Sequence, residues 1–537
     1  MRRTLAALVM LAGLSAAAQA QRPGRPQQPG QAPPAAQAAQ PAPSSGDSTP
    51  RRESQVAAVP REESSVTEHT LRIAGQSIPY RATAATTLLR NDSGAPIGSL
   101  YYTAYTRTDV GDPSQRPIAF VYNGGPGSAS AWLHMGAFGP RRIVTSDAAP
   151  TPPPPYQLVD NANSLIDVAD LVFIDPIGTG FSKPVGRGTG KDFWGVDEDA
   201  ASLAQFISLY VSRNRRWNSP KFLIGESYGT TRSAVLVNRL QSREGMDFNG
   251  VVLISSVLDF ETLAFAPGHD LSYQLYLPSY AATAAYHHVI PQPRDLPVFL
   301  DSVRRFALGE YEAALDKGTA LGADERAAVV RRLAAYTGLS EEYLTRANLR
   351  VNLRQFMAEL NRARGMNTGR LDARFTGPMM DLLTENGEGD PQSLAVSGAY
   401  TAAINSYLRD ELHFGGDQRY AISGGGQWNW VREPAQGGRG GGGGGRMGSP
   451  YVGSDLAQAL VSNPNLRVEI ENGYYDLATP FFATEYTMDH LGLPPELRSH
   501  IALRYYEAGH MMYLRESDLA ALKANIARFI GAAARGR

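Results

Sequence analysis

The stretch that decides the fold is KFLIGESYGTTR, at residues 221–232. An apolar run, FLI at 222–224, is followed by GESYG at 225–229 and then by helix-compatible residues from Ser233. This order predicts a strand, a sharp turn and a helix, in which the two glycines let strand and helix approach closely. A serine at the centre of such a turn has a strained backbone and an exposed hydroxyl, so Ser227 is the candidate nucleophile.

The composition limits the classes of partner. The chain has 537 residues, with 51 Lys and Arg against 52 Asp and Glu, and a formal net charge of −1 at pH 7. Since no strong net charge attracts polyanions, no nucleic-acid partner is expected. The sequence contains no cysteine, so core packing rather than disulfides must stabilise the fold.

The first residues have the pattern of an export signal. Two arginines precede an apolar run at 5–14, and small residues occur before a predicted cleavage near Ala20. We therefore expect a signal peptide at 1–20 and a periplasmic or secreted protein. The run is too short to span a bilayer, so no integral membrane segment is expected after cleavage. The stretch 21–62, rich in Pro, Ala and Gln, predicts a disordered tether.

Apolar and β-branched runs predict the central sheet. Residues 69–107 contain three β-rich runs separated by turn residues, which indicates an antiparallel start to the sheet. Later apolar runs at 117–122, 169–175 and 250–258 are separated by helical patterns such as 197–213. Strands that alternate with helices predict an α/β fold whose mostly parallel sheet is covered on both faces.

Beyond residue 260 the alternation gives way to helical patterns, including 323–336 and 349–364. This change predicts a helical cap inserted over the carboxyl edge of the sheet. The glycine-rich stretch lacks the Lys-Ser/Thr ending of a phosphate-binding loop and predicts a flexible connection. The expected boundaries are 63–259 for the first part of the core, 260–430 for the cap, 431–450 for the Gly-rich loop and 451–537 for the second part of the core.

Two later β-rich runs, at 466–471 and 501–506, each lead to one polar candidate, Asp476 and His510. The carboxyl ends of parallel strands meet at one sheet edge, so these residues are expected to lie beside Ser227. In such a triad His510 takes the serine proton and returns it to the leaving group. Asp476 holds the imidazole tautomer and stabilises its charged form.

The choice of the acid depends on the predicted strand boundaries. If those boundaries shift, Asp489 or Asp259 would take the place of Asp476. Of the nine histidines, only His510 directly follows a β-run through a glycine near the end of the chain. His134 and the pair at 287–288 are interpreted as structural.

A glycine-rich loop, NGGPG at 123–127, directly follows the run at 117–122. Glycines after a strand free backbone N–H groups to point at an anion. In a serine hydrolase this loop supplies one oxyanion donor, and the residue after the nucleophile supplies the other. The candidate oxyanion donors are therefore Gly125 and Tyr228.

Together these motifs resemble the serine carboxypeptidase family, peptidase family S10, of the α/β-hydrolase fold. The matching motifs are NGGPG at 123–127, Asn163-Ser164 with Ala169-Asp170, GTGFS at 178–182, GESYG at 225–229, Gly473-x-x-Asp476 and Gly509-His510-Met511. The resemblance implies an α/β-hydrolase fold with a helical cap. It also implies hydrolysis of the C-terminal residue of a peptide substrate through an acyl-serine intermediate, without metal or organic cofactor.

The resemblance further implies a substrate site. In the family the terminal carboxylate is held by the Asn of the NGGPG loop and by the Glu before the nucleophile. These correspond to Asn123 and Glu226, and Met511 completes the implied substrate-binding set. A carboxyl group beside another carboxyl group must share a proton, which is typical of enzymes that work in acid.

The chain departs from the family at four positions. Val121 replaces a Trp, Ser128 replaces a Cys, Ala137 replaces the second Glu of the carboxylate clamp, and Tyr513 replaces a Pro. Half of the clamp is therefore missing, while the triad is retained. Strict selectivity for a free C-terminus and an acid optimum no longer follow from the resemblance.

Two other functions stay open at this point. An esterase or acyltransferase would use the same triad, and the loss of the second clamp Glu favours it, since plant relatives of this family transfer acyl groups. A noncatalytic envelope-binding protein would use the tether and the Gly-rich loop. An intact triad with both oxyanion loops argues against it, because a binding protein needs neither. The sequence gives no oligomeric state.

Overall fold

The computed structural model describes residues 57–432 and 449–536. The predicted signal peptide, the tether up to residue 56 and most of the predicted Gly-rich loop lie outside the described residues. Within these two ranges, none of the helices has the length and hydropathy needed to cross a membrane.

The predicted boundary of the tether at residue 62 is too late. The backbones of Ala57 and Gly186 exchange two hydrogen bonds of 3.0 Å, and Glu62 accepts a hydrogen bond from the backbone of Leu88 at 2.9 Å. Glu62 also forms an ion pair with Arg213. Residues of this segment form hydrogen bonds and an ion pair with partners more than 20 positions away in the sequence. The composition of the segment alone does not reveal such contacts.

The candidate residues Ser227, Asp476 and His510 follow the ends of three of the strands. They are β1 (Ser64–Ile73), β2 (Gln76–Arg90), β3 (Pro96–Arg107), β4 (Ile118–Tyr122), β5 (Arg141–Ile143), β6 (Leu158–Asp160), β7 (Asp170–Asp175), β8 (Lys183–Pro184), β9 (Lys221–Glu226), β10 (Gly250–Ile254), β11 (Met366–Thr368), β12 (Thr376–Pro378), β13 (Arg467–Gly473) and β14 (Ile501–Tyr506).

The helices lie between the strands and in the cap. They are α1 (Ala131–Leu133), α2 (Val196–Arg213), α3 (Tyr228–Glu244), α4 (Leu271–Tyr286), α5 (Leu296–Phe306), α6 (Glu312–Lys317), α7 (Ala323–Thr337), α8 (Glu341–Arg346), α9 (Leu353–Glu359), α10 (Pro391–Ser406), α11 (Gly453–Ser462), α12 (Phe481–Asp489), α13 (Pro495–Arg498) and α14 (Glu516–Ala533).

The main sheet has ten strands in the order β1-β2-β3-β7-β4-β9-β10-β13-β14, with β8 paired to β3. The first four strands of this order are antiparallel, and all pairs from β7 to β14 are parallel. This arrangement confirms the predicted α/β-hydrolase fold, with its antiparallel start and mostly parallel central sheet. It also puts the carboxyl ends of β9, β10, β13 and β14 at one edge.

Strand β9 shows why the sheet is covered on both faces. All its residues are buried, and successive side chains point to opposite faces because a strand has a period of two. Phe222 and Ile224 join one apolar cluster, which includes Leu522 of α14. Leu223 joins the cluster on the other face, which includes Leu236 of α3. Strand β9 therefore lies in the centre of the core and ends at a fixed position.

Helices α4 to α9, between β10 and β13, form the cap, which has an apolar cluster of its own that includes Leu275, Leu333 and Phe356. The helix predicted at 349–364 is shorter than expected. Asn352 caps α9 by accepting a hydrogen bond from the backbone of Gln355, and the helix ends by residue 360. Strands β11 and β12 form a short antiparallel hairpin that the sequence patterns did not predict.

A buried ion pair joins the two helices behind the site. Arg232 of α3 has no exposed surface, and its Nε lies 2.6 Å from Oδ2 of Asp199 in α2. Its Nη1 donates to the backbone oxygen of Asn123 at 2.6 Å. This arginine therefore fixes the NGGPG loop relative to α2 and α3.

We expect Arg232→Met to lower the free energy of unfolding by about 3–5 kcal/mol, because it leaves the Asp199 carboxylate buried without its partner. Urea unfolding monitored by circular dichroism measures the change. The double variant Arg232→Met, Asp199→Leu removes both charges and should recover part of the loss. A single variant as stable as the wild type would contradict this role of the ion pair.

Candidate active site

Ser227 lies in the turn between β9 and α3, as predicted. Its backbone has φ 60° and ψ −129°, a region in which residues other than glycine are strained. The Ser227 N–H donates to the carbonyl of Ile254 at the end of β10, at 2.9 Å. This hydrogen bond holds the strained turn at the sheet edge and leaves the side chain half-buried.

Asp476 and His510 follow the neighbouring strands β13 and β14, and the structure joins them directly. His510 Nδ1 donates to Asp476 Oδ2 at 2.7 Å, and both side chains are buried. The other contacts of Asp476 are hydrogen bonds from the backbones of Ala478 and Thr479 and from the Thr479 hydroxyl. Each oxygen of the Asp476 carboxylate therefore accepts two hydrogen bonds. Because Nδ1 of the imidazole donates to this carboxylate, the ring has one fixed tautomer, with Nε2 as its basic atom.

The two alternative acids have other partners. Asp489 pairs with Arg498 at 2.8 Å, and Asp259 accepts the backbone N–H of Glu261 at 2.9 Å as the cap of a short helical turn. Neither forms a described contact with His510. Asp476 is therefore the carboxylate that the geometry offers to the imidazole.

Ser227 and His510 are linked through β10 rather than directly. The Ser255 hydroxyl, one residue beyond β10, donates to the His510 carbonyl at 2.7 Å, and Ser227 binds Ile254 next to it. No hydrogen bond between the Ser227 hydroxyl and the imidazole is described. Such bonds are commonly long without substrate and shorten when it binds.

The electrostatic environment favours a basic imidazole. Burial lowers the pKa of His510, but the charge and hydrogen bond of Asp476, together with the charge of Glu226, raise it more. The net pKa lies above the ordinary value of 6.5. A stronger base is better able to accept a serine proton.

The two candidate oxyanion loops are in contact. A Cβ added to Gly124 would lie 2.4 Å from the Tyr228 nitrogen, so only glycine permits this approach. Tyr228 is the first residue of α3, where backbone N–H groups have no acceptor within the helix. Gly125, the other predicted donor, is exposed beside it.

Asn123 and Glu226, which the resemblance implied in substrate binding, are hydrogen-bonded to each other. Asn123 Nδ2 donates to Glu226 Oε1 at 2.8 Å, and both side chains are buried. Burial raises the pKa of Glu226 to about 7, although His510 and other partners lower it in part. Glu226 is therefore mainly protonated in weakly acidic solution. Met511, the third member of that set, is buried in the apolar core.

Two tyrosines lie beside Ala137, at the position where the resemblance implied a second Glu. Ala137 is fully buried in the turn after α1, and a Cβ added to its neighbour Gly136 would lie 2.1 Å from the Tyr400 hydroxyl and 2.8 Å from the Tyr513 ring. Burial raises the pKa of both tyrosines, and the nearby Glu226 carboxylate raises it further. Tyr513 was noted only as a departure, and Tyr400 of α10 was missed because it is distant in sequence.

The sequence also gave no sign of a loop in the cap, residues 369–375, which we name the cap loop. Its carbonyl at residue 370 accepts the N–H of Leu477, and the carbonyl of Leu371 accepts the N–H of His510 at 2.7 Å. The carboxylate of Asp372 accepts the N–H of Gly509 at 3.1 Å. The cap loop therefore holds the segments that carry Asp476 and His510 in one arrangement.

Asp372 is the centre of this contact. It is completely buried, and its charge is matched by Arg374 at 2.6 Å. Arg374 in turn forms an ion pair with Asp147 at 3.0 Å.

Among the described residues, no cluster of three or more His, Cys, Asp or Glu side chains is arranged to hold a metal ion.

Comparison with known proteins gives a partial match. The family model described as serine carboxypeptidase matches residues 92–267, which include Asn123, Glu226 and Ser227 but not Asp476 or His510. "Serine carboxypeptidase-like 45" of Arabidopsis thaliana is 26% identical over 175 residues, or 30% of this chain. The chain matches only 34% of that relative's length.

Solved structures with a similar fold include two peptidases. The prohormone-processing carboxypeptidase Kex1(delta)p of Saccharomyces cerevisiae has 14% identity and a TM-score of 0.48, covering 84% of this chain and 91% of that one. Proline iminopeptidase of Mycobacterium smegmatis has 14% identity and a TM-score of 0.34, covering 84% and 98%. Likenesses of this size carry no argument about activity.

We expect Asp372→Ala to slow the reaction of Ser227 with a fluorophosphonate by about tenfold or more, because small displacements of catalytic groups are costly. Asp372→Asn keeps one acceptor and should lose less. Asp147→Asn is the matched control, since it breaks only the outer ion pair of Arg374 and should leave the rate unchanged. A folded Asp372→Ala protein, verified by its melting temperature, that reacts at the wild-type rate would exclude this positioning role.

Proposed function

We propose that this chain, whose residues 92–267 match the family model described as serine carboxypeptidase, removes the C-terminal residue of peptides as a serine-type carboxypeptidase. The observation that carries the proposal is the buried 2.7 Å hydrogen bond between His510 and Asp476, at the sheet edge where Ser227 has its strained backbone. We also propose, from the pattern at 1–20, that the protein is exported.

The proposed reaction follows from these groups. Ser227 Oγ attacks the carbonyl carbon of the scissile amide while His510 Nε2 takes the hydroxyl proton. The N–H groups of Gly125 and Tyr228 stabilise the oxyanion. His510 then gives its proton to the leaving amine, and the C–N bond breaks to leave an acyl ester on Ser227. A water molecule, deprotonated by His510, hydrolyses that ester and restores the free serine.

Glu226 gives the proposed enzyme a way to recognise a free C-terminus. With a pKa of about 7, its carboxyl group keeps a proton that it can donate to the terminal carboxylate. Its Oε2 forms no well-aligned hydrogen bond among the described residues, and the Tyr513 hydroxyl is the side chain beside it. Asn123 fixes the other oxygen, Oε1, and thereby orients the group.

A second candidate function is ester hydrolysis or acyl transfer with the same triad. The observation that favours it is the replacement of the second clamp Glu by the buried Ala137, with Tyr400 and Tyr513 packed beside it. If those tyrosines exclude a terminal carboxylate, the acyl group would determine the choice of substrate.

A matched pair of blocked dipeptides, one with a free terminal carboxylate and one amidated, separates the two functions. We expect the free acid to be hydrolysed with a kcat/KM about tenfold or more higher, because a charge-assisted hydrogen bond forms only with the carboxylate. Release of the terminal residue is measured by chromatography. Equal rates for both peptides, or reaction with esters alone, would favour the second function.

The preference for the free acid should depend on pH. Glu226 binds its proton below about pH 7, so the ratio of kcat/KM for acid over amide should be high in weak acid and fall as the pH rises through about 7. The titration of His510 affects both substrates and cancels in this ratio. Glu226→Gln keeps an N–H donor at every pH, so its ratio should stay constant. A wild-type ratio that does not change with pH would refute this role of Glu226.

A further inference from the structure

The cap loop contains a positively charged residue, Arg370, whose backbone lies beside the triad. The Arg370 carbonyl accepts the N–H of Leu477, next to Asp476, at 3.0 Å. Its own N–H donates to the Asp390 carboxylate at 2.7 Å, and the following residue binds the backbone of His510. Hydrogen bonds therefore fix the main chain at Arg370 to the segment that carries Asp476 and to the segment that carries His510.

The side chain of Arg370 is exposed, and no hydrogen bond or ion pair of its guanidinium is described within residues 57–432 and 449–536. Asp390 forms no described ion pair with this guanidinium, and its oxygens receive the backbone N–H groups of Arg370, Leu371 and Ser393. Other arginines near the site are paired, as Arg374 is with Asp372. Arg370 is thus a cation that the fold leaves available.

This cation acts on the catalytic base. Its charge opposes protonation of His510, whereas Asp476 and Glu226 favour it. Burial raises the pKa of Tyr276 in cap helix α4, and the charge of Arg370 offsets part of that rise. The guanidinium therefore lies within electrostatic range of the imidazole. An unneutralised cation at this place destabilises the imidazolium that forms during the reaction. A substrate anion against Arg370 would remove that penalty and add binding energy.

We propose that Arg370 binds a carboxylate of the substrate and that the enzyme prefers peptides with an anionic group next to the scissile bond. This inference rests on the proposed carboxypeptidase function and names a second carboxylate-binding residue of that site. The carboxylate has two possible sources, which share the same chemistry. It is either the free C-terminus itself or the side chain of an Asp or Glu residue beside the cleaved bond.

The experiment compares wild type with Arg370→Gln on a set of blocked dipeptides. One pair differs in the C-terminus, free acid against amide. Two further pairs carry Glu against Gln on the acyl side or on the leaving side of the scissile bond. Arg370→Lys keeps a positive charge, and Arg331→Gln removes an exposed arginine of helix α7 as the matched control.

We expect Arg370→Gln to lower kcat/KM by about tenfold for the anionic member of at least one pair, mainly through KM. It should not lower kcat/KM for the neutral partner, which loses only a charge that opposes the imidazolium. Arg370→Lys should retain most of the preference, and Arg331→Gln all of it. The pair that responds identifies the source of the carboxylate. Added salt should weaken the wild-type preference, because the cation is exposed.

The inference is overturned if Arg370→Gln changes anionic and neutral substrates by the same factor in every pair. Failure of the proposed function has a different signature, in which wild type hydrolyses none of the peptides. In that case the same variants are compared on p-nitrophenyl succinate against p-nitrophenyl butyrate. Equal effects of Arg370→Gln on these two esters would also overturn the inference.

Discussion

The hydrogen bond between His510 and Asp476 is the interaction on which the rest of the site depends. It joins two loops that leave neighbouring parallel strands, β13 and β14, and it is buried from water. A buried carboxylate is stable only when its oxygens have partners, and here backbone and hydroxyl donors surround Asp476. The cap loop completes this environment by binding the backbone on both sides. The cap loop is therefore part of the framework that holds Asp476 and His510 in place.

The electrostatics of the site divide into two layers. Close to the imidazole, Asp476 favours its charged form, and Glu226 adds to this effect only when ionised, since burial keeps a proton on Glu226 up to about pH 7. Farther out, the exposed Arg370 opposes that charge. In the proposed function, an anionic substrate group bound to Arg370 would remove this opposition and so couple recognition of the substrate to the strength of the base.

Much of the fold was predictable because its signals are local. The apolar run before Ser227 and the glycines around it predicted a strand, a turn and a helix. Strand β9 does end at Glu226 and helix α3 begins at Tyr228, with Ser227 in the turn between them. The chain order of Ser227, Asp476 and His510 predicted one sheet edge, because parallel strands end together. That Ala137 interrupts a carboxylate clamp was implied by the resemblance and stays a prediction.

The features that were missed come from contacts between distant parts of the chain. Asp372 shows no pattern in sequence, yet it binds the backbone of Gly509, 137 positions away. Tyr400 reaches the Gly136 turn only because α10 folds back over the sheet edge. The length of α9 depended on the cap at Asn352, which a helical period alone does not locate. Polar contacts of this kind are specific to the tertiary fold and leave no periodic signal.

The most direct test of the central claim is reaction with a fluorophosphonate probe, followed by mass-spectrometric mapping of the modified peptide. The account predicts one adduct on Ser227 and none in a folded Ser227→Ala variant. The rate should fall as the pH drops through the pKa of His510, which lies above its ordinary value of 6.5. Absence of labelling in the folded wild-type protein, or labelling of another serine that persists in Ser227→Ala, would contradict the account.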